Sequence, residues 1–292
     1  MNWINAIVQG LLLGGLYALF ACGLSLMFGV MRVINLAHGD LAVLGAFLVW
    51  AIASHAHISP FLALAAALPV MLAVGYALHR TVLARSLRSG ELTPLLTTFG
   101  LAMVIQNALL QVFSPDVRSL GTSAGSLSTG SWKLTSQLSV PYLGLLILAV
   151  AVVVLGGLQL TLQRTGFGRE MRATAQDPDT AALVGIPAAS VYARATAIAV
   201  AIATLAGAFL AIRSTFDASS GPTQLIFAFE AVVIGGLGSL WGTLVGGIVL
   251  GVAQTLGATI DPQYSILAGH LVFLVILAGP RGRFVATRRA HA

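Results

Sequence analysis

The sequence predicts an all-α fold, a polytopic transmembrane helical bundle with eight or nine membrane segments, forming a single transmembrane domain over residues 1–292. The first observation behind this is composition: 58% of the residues are hydrophobic and only 8% are charged, against roughly a quarter charged in an ordinary soluble domain. The second is a mean hydropathy of +0.94, concentrated in repeated runs near the length of about 20 residues that a helix needs to cross the hydrocarbon. The third is the texture of those runs. Residues 143–158 are apolar on every face, whereas the strands of a membrane barrel alternate polar and apolar over about ten positions.

In chain order the apolar runs fall at residues 4–29, 38–53, 60–79, 94–113, 141–163, 191–212, 225–240, 241–260 and 263–279. The first has no positive charge before Arg32 and is long for the core of a cleavable signal, so it is read as a retained span. Between residues 225 and 260 the glycines Gly235-Gly236, Gly238-Ser239 and Gly246-Gly247 interrupt the pattern. That stretch is either two short spans or one span plus a re-entrant piece. No internal repeat is legible by eye.

The arginines set the expected orientation. They cluster as Arg80, Arg85 and Arg88, then Arg164, Arg169 and Arg172, then Arg281, Arg283, Arg288 and Arg289. With the N-terminus outside and the C-terminus cytoplasmic, all three clusters, together with Arg32 and Arg194, lie in the cytoplasm. Only Arg118, Lys133 and Arg213 are left outside, the bias that the positive-inside rule describes. The net charge of +6 is therefore explained by topology and calls for no nucleic-acid partner. Cys22 is the only cysteine, which excludes an intrachain disulfide or a cysteine metal cluster.

Two connecting segments stand out. The external loop, residues 114–141, is rich in Ser, Thr and Gly, and a loop of this length is expected to cap the pore mouth. The cytoplasmic segment, residues 164–190, reads as two short helical pieces divided at Asp177-Pro178: Asp177 is an N-cap, Pro178 suits the first helical position, and Gly185 is a stop before Pro187. It also carries Ala181, Ala182, Leu183, Val184 and Ile186 in a helical rhythm. A solvated loop seldom does so, and a protein surface or the lipid interface is expected to cover them.

Polar residues at membrane depth are the candidate functional positions. Asn35, His38 and Asp40 crowd a short break before the second run, where they either cap a helix or border a solute path. Thr98, Gln106 and Asn107 place hydroxyl and amide groups in the fourth run, as glue between helices or as path lining. A His38–Asp40 catalytic dyad is disfavoured, because no motif marks a nucleophile for it. The small-xxx-small pairs Gly10/Gly14, Gly242/Gly246 and Gly247/Gly251 read as close helix packing, within one subunit or between subunits. No phosphate-binding Gly-x-x-x-x-Gly-Lys-Ser/Thr loop is present. Energy for active transport must then come from a partner or from an ion gradient, for which Asp40 and Glu230 are the acidic candidates, both near span ends by these boundaries.

The run from Gly15 to Leu19 and the longer one from Gly23 through Arg32, Asn35 and His38 to Leu41 closely resemble the start of branched-chain amino acid ABC transporter permeases of the LivH type. Thr98-Phe99-Gly100-Leu101 with Gln106-Asn107, the segment from Met171 to Ile186, and Gly235–Ser239 with Gly246-Gly247 are similar to further blocks of that family in the same order. The resemblance implies a subunit in the cytoplasmic membrane with no cofactor and no ATPase site of its own. It pairs with a second permease, identical or homologous, receives solute from an external binding protein, and is driven by two cytoplasmic subunits that bind ATP and Mg. Coupling to them would fall to Arg169, Arg172, Asp177, Pro178, Ala181 and Gly185. The family also handles urea, short amides and aromatic acids, and a stand-alone channel or ion-coupled carrier is the rival of a different class.

Overall fold

A computed structural model describes residues 3–87, 89–90, 92–135 and 138–279. Of the arginines named above, Arg88, Arg281, Arg283, Arg288 and Arg289 lie outside the described residues. The helices are α1 (Trp3–Met31), α2 (His38–Ala56), α3 (Pro60–Leu78), α4 (Ala84–Ser86), α5 (Thr93–Phe113), α6 (Ser126–Thr129), α7 (Tyr142–Arg164), α8 (Gly166–Gln176), α9 (Pro178–Leu183), α10 (Ala188–Arg213), α11 (Gly221–Gly235), α12 (Leu240–Ile260) and α13 (Tyr264–Ala278). A π-turn at His79–Leu83 joins α3 to α4. Among the described residues, seven spans are long and apolar enough to cross a membrane, and α11 and α13 are shorter apolar helices.

The helical bundle carries one short non-helical addition. Within the 114–141 segment, β1 (Ser131–Thr135) and β2 (Leu138–Pro141) form an antiparallel hairpin in which Trp132 faces Val140. Backbone groups that leave a helical bundle need partners, and two short strands supply them to each other. Side chains of α1 hold the hairpin down: Gln9 Nε2 donates to the Ser139 carbonyl at 2.8 Å, and Asn5 Oδ1 accepts from the Ser139 N–H at 3.4 Å.

The interrupted stretch from 225 to 260 resolves into two helices. Gly236 (φ 95°) and Gly238 (φ 82°) take backbone conformations open to glycine, so α11 stops and α12 restarts at Ser239, whose hydroxyl accepts from the Gly242 N–H.

The bundle is built as two halves running in opposite directions. α1 starts at the hairpin and ends at Met31, beside a cavity that also takes in Asp179 and Tyr192. α10 starts at that cavity with Ala188 and ends near the 114–141 segment, where the Ala211 carbonyl accepts from the Leu120 N–H at 2.7 Å. α1 packs on α12 and α11, and α10 packs on α3 and α2. The contacts of α2 with α3 and α5 are likewise matched by those of α11 with α12 and α13. The set α1, α2, α3, α5 is thus repeated, inverted, as α10 to α13, an arrangement common among transporters. This repeat, invisible by eye in the sequence, is one of packing partners and helix direction rather than of residue identity.

Close packing inside the chain accounts for the small-residue pairs. A Cβ on Gly14 would meet the Ile248 backbone, one on Gly247 the Gly14 carbonyl, and one on Gly251 the Gly10 carbonyl, so Gly10/Gly14 and Gly247/Gly251 form the α1–α12 crossing. Gly242 and Gly246 face Gly235 and Ala231 of α11.

Candidate functional site

The polar break before α2 is an enclosed joint deep in the bundle. Arg32 takes a left-handed conformation (φ 54°) after α1, and the chain turns back along the helix it has just left. The Asn35 side-chain oxygen accepts from the Ala37 N–H at 3.0 Å, and the His38 N–H bonds the Asn35 carbonyl at 3.1 Å. Thr98 Oγ1 on α5 accepts from the Leu36 N–H at 3.1 Å while donating to Pro94 at 2.8 Å. His38 Nε2 donates to the Phe20 carbonyl at 2.9 Å, so the start of α2 lies beside the middle of α1. At about 1.5 Å per residue that is roughly 16 Å inside the end of α1 at Met31.

A second break meets the first at this depth. After α10 a strap of residues 214–220 turns inward: the Phe216 backbone pairs with Arg118 in both directions, at 2.8 and 2.9 Å, and the Phe216 ring lies 4.9 Å from Phe47. α11 then begins at Gly221, and a Cβ there would collide with the Asp40 carboxylate, while one on Gly39 would strike the Gly221 carbonyl. The first turns of α2 and α11 therefore touch inside the bundle. Asp40 lies near the end of α2, as the sequence reading placed it, but that end is not an end of the bundle.

Of the residues expected to border a solute path, the structure brings together Asn35, His38, Asp40 and Thr98 and encloses all four within the chain. In this conformation Asn35, His38 and Thr98 bond backbone groups of the joint, while Asp40 Oδ1 has no hydrogen-bond partner among the described residues. Gln106 and Asn107 lie apart from them on α5, Asn107 exposed and bonded only to its own helix through Met103 at 2.8 Å.

The segment between α7 and α10 follows its expected division at Asp177-Pro178. Asp177 Oδ1 accepts from the Asp179 and Thr180 N–H groups at 3.0 and 3.1 Å, and Pro178 occupies the first helical position. Hydrogen bonds from Thr180, the side-chain hydroxyl first and then its N–H, hold the Asp177 carboxyl below the usual carboxylate range. α9 ends in a Schellman pattern, with Ile186 N–H on Ala181 and Gly185 N–H on Ala182, both at 3.0 Å, and Gly185 at φ 85°. Ala181 is buried, whereas Leu183 and Val184 at the tip are 87% and 73% exposed. Arg169 and Arg172 are exposed on α8.

Sequence reading missed the fastening of this segment. Glu170 on α8 pairs with Arg194 on α10 at 2.6 Å, and the Arg194 guanidinium lies 4.8 Å from the Phe167 ring. It named Glu230 only as an acidic candidate near a span end, whereas Glu230 lies buried in the middle of α11 with Oε1 2.5 Å from His270 Nδ1 on α13, and it missed the 2.5 Å hydrogen bond from Tyr17 on α1 to Gln254 on α12. Contacts between residues 24, 40 and 237 positions apart leave no local pattern. Among the described residues there is no group of three or more His, Cys, Asp or Glu placed to hold a metal ion.

Residues 6–278 match the family model for the permease component of branched-chain amino acid transport systems. The high-affinity branched-chain amino acid permease protein BraD of Pseudomonas aeruginosa is 32% identical, over 96% of this chain and 95% of its own length. LivH of Salmonella typhimurium is 29% identical over 97% of this chain and 95% of its length. A solved structure, PsaBC from Streptococcus pneumoniae in complex with Fab, shares the fold with a TM-score of 0.51 at 13% identity, covering 99% of this chain and 96% of that one. With the likeness running through both inverted halves, the chain belongs to the permease-component family of branched-chain amino acid transport systems.

Proposed function

We propose that this chain is the membrane-spanning permease subunit of an ABC importer that carries branched-chain amino acids across the cytoplasmic (inner) membrane. ATP and Mg are bound and used by two cytoplasmic partner subunits. A second permease, identical or homologous, completes the channel, and an external binding protein delivers solute. The N-terminus, the hairpin and the 114–141 segment face outside, and α8 and α9 face the cytoplasm. What carries this reading is the tip of α9: a capped, rigid helix that projects Leu183 and Val184 away from the bundle. Exposed apolar side chains on a stiff support mark a docking surface, and the fastening of α8 to α10 gives such a surface a route into the spans.

The test is reconstitution. The chain is isolated in mild detergent with whatever accompanies it, and vesicles are loaded with ATP on the α9 side. Uptake of leucine that requires ATP and binding protein is the expected result, with valine and isoleucine competing. Uptake by the isolated chain without partners would point instead to a stand-alone channel or ion-coupled carrier. Preferential competition by urea, short amides or aromatic acids would reassign the solute.

A further inference from the structure

Glu230 and His270 form a polar pair beside the Tyr17–Gln254 hydrogen bond, with Gly269, the neighbour of His270, packed against Gln254. Glu230 is 3% exposed, and its Oε2 has no hydrogen-bond partner among the described residues. The His270 side chain is 38% exposed and is held from behind through Nδ1, which leaves Nε2 on the outward side. The Phe227 ring centroid lies 6.3 Å from that of the imidazole, with the two planes 26° apart, and 5.0 Å from that of Tyr17.

His270 stands in the middle of α13, among outward residues Leu267, Leu271 and Leu274. A ring nitrogen backed by a buried carboxylate is costly against hydrocarbon, so a residue of this kind faces a partner or a water-filled route. The inverted repeat gives a reason for the second. α13 is the counterpart of α5, and α5 carries Gln106 and Asn107 on its outward side among Phe99, Met103 and Val104. Both halves thus mark the same outer helix with polar side chains, and an ionisable pair at membrane depth marks a substrate or ion pathway.

We propose that the Glu230–His270 pair is a solute-binding element of the translocation route that receives the ammonium group of an amino acid. This deepens the permease reading above and rests on it. Donation from Nδ1 to Glu230 fixes the tautomer and leaves the Nε2 lone pair as an acceptor aimed outward. The carboxylate behind it supplies negative charge without projecting into the route. A single imidazole acceptor holds an ammonium weakly, which suits a site that must release its cargo.

The test uses the complete transporter in vesicles, with the buried Cys22 changed to alanine and His270→Cys as the only thiol in this chain. It is treated with a trimethylammonium-ethyl methanethiosulfonate and with its sulfonate counterpart, with and without ATP and vanadate. A water-filled, negatively biased site reacts faster with the cation, by about tenfold for a local potential worth roughly 1.4 kcal/mol, and Glu230→Gln brings the two rates near parity. No labelling by either reagent in either nucleotide state, or a rate ratio indifferent to Glu230→Gln, overturns the proposal. A second reading covers a cysteine variant that does not assemble. His270→Gln, extracted at the wild-type level, is expected to lower maximal leucine uptake about tenfold while leaving half-saturation, set by the binding protein, unchanged. Wild-type uptake overturns the site and leaves the permease reading standing. Absence of ATP-driven leucine uptake by the unmodified transporter instead removes the permease reading itself.

Discussion

Glu170 and Arg194 join α8 to α10 through a 2.6 Å ion pair, the point where the segment outside the bundle is fastened to one of its two central helices. Both side chains are about one-third exposed, so the pair contributes little to stability, about 0–1 kcal/mol. Its value is mechanical, since it stops α8 from sliding relative to the start of α10. Glu170→Arg alone or Arg194→Glu alone is expected to leave the melting temperature of the transporter nearly unchanged and to reduce solute-stimulated ATPase at least fivefold. The double exchange restores it. A double variant as inactive as either single one would show that the pair does not act as a unit.

Leu183 and Val184 are expected to matter to partners and not to the fold. Leu183→Asp removes no buried contact, because the side chain is already exposed. The variant chain should be extracted at the wild-type level while its ATP-binding partners are lost on purification. Co-purification at full stoichiometry would exclude the tip of α9 from the contact.

Asp177 caps α9 through acceptor oxygens, and asparagine offers the same geometry. Asp177→Asn should therefore retain stimulated ATPase, and Asp177→Ala should lose most of it. The pH dependence has a defined sign. The folded carboxyl sits below its unfolded value of about 3.9, so its contribution is present above that pH and is lost as pH falls through the lower, folded value. Proteolysis at α9 should be flat from neutrality to about pH 4 and rise below it. A rise centred near neutrality would contradict the cap.

Thr98 is the partner of a part-buried backbone N–H, that of Leu36, in a segment with no helix of its own. Thr98→Val keeps the shape and removes the acceptor, which is expected to cost about 1–3 kcal/mol, and Thr98→Ser should recover most of it. Thermal unfolding in detergent measures both. A valine variant as stable as the parent would show that Leu36 finds another partner.

The bundle, the runs that became helices and the division at Asp177-Pro178 were legible because they are local. Hydropathy over about 20 residues, a capping aspartate and a proline at the first helical position act within one turn of themselves. The packing of Gly10/Gly14 and Gly247/Gly251 was legible in kind, since small residues four apart mean close approach, but not in partner. What stayed hidden depends on distance. Asn35, His38 and Asp40 look like a span end until His38 is seen bonded to Phe20, and Glu230 looks isolated until α13 brings His270 to it. The hairpin was missed because residues 131–141 have strand formers but no alternation long enough to stand out from a polar loop.

The pairing of Arg118 with Phe216 gives the bundle an unusual piece of leverage. Anything that presses on the rim of the molecule near Arg118 tugs a short cord whose other end is the first residue of α11. That residue rests on Asp40 at the start of α2. A load applied at Arg118 therefore has only the stretch from Phe216 to Gly221 through which to reach the start of α2.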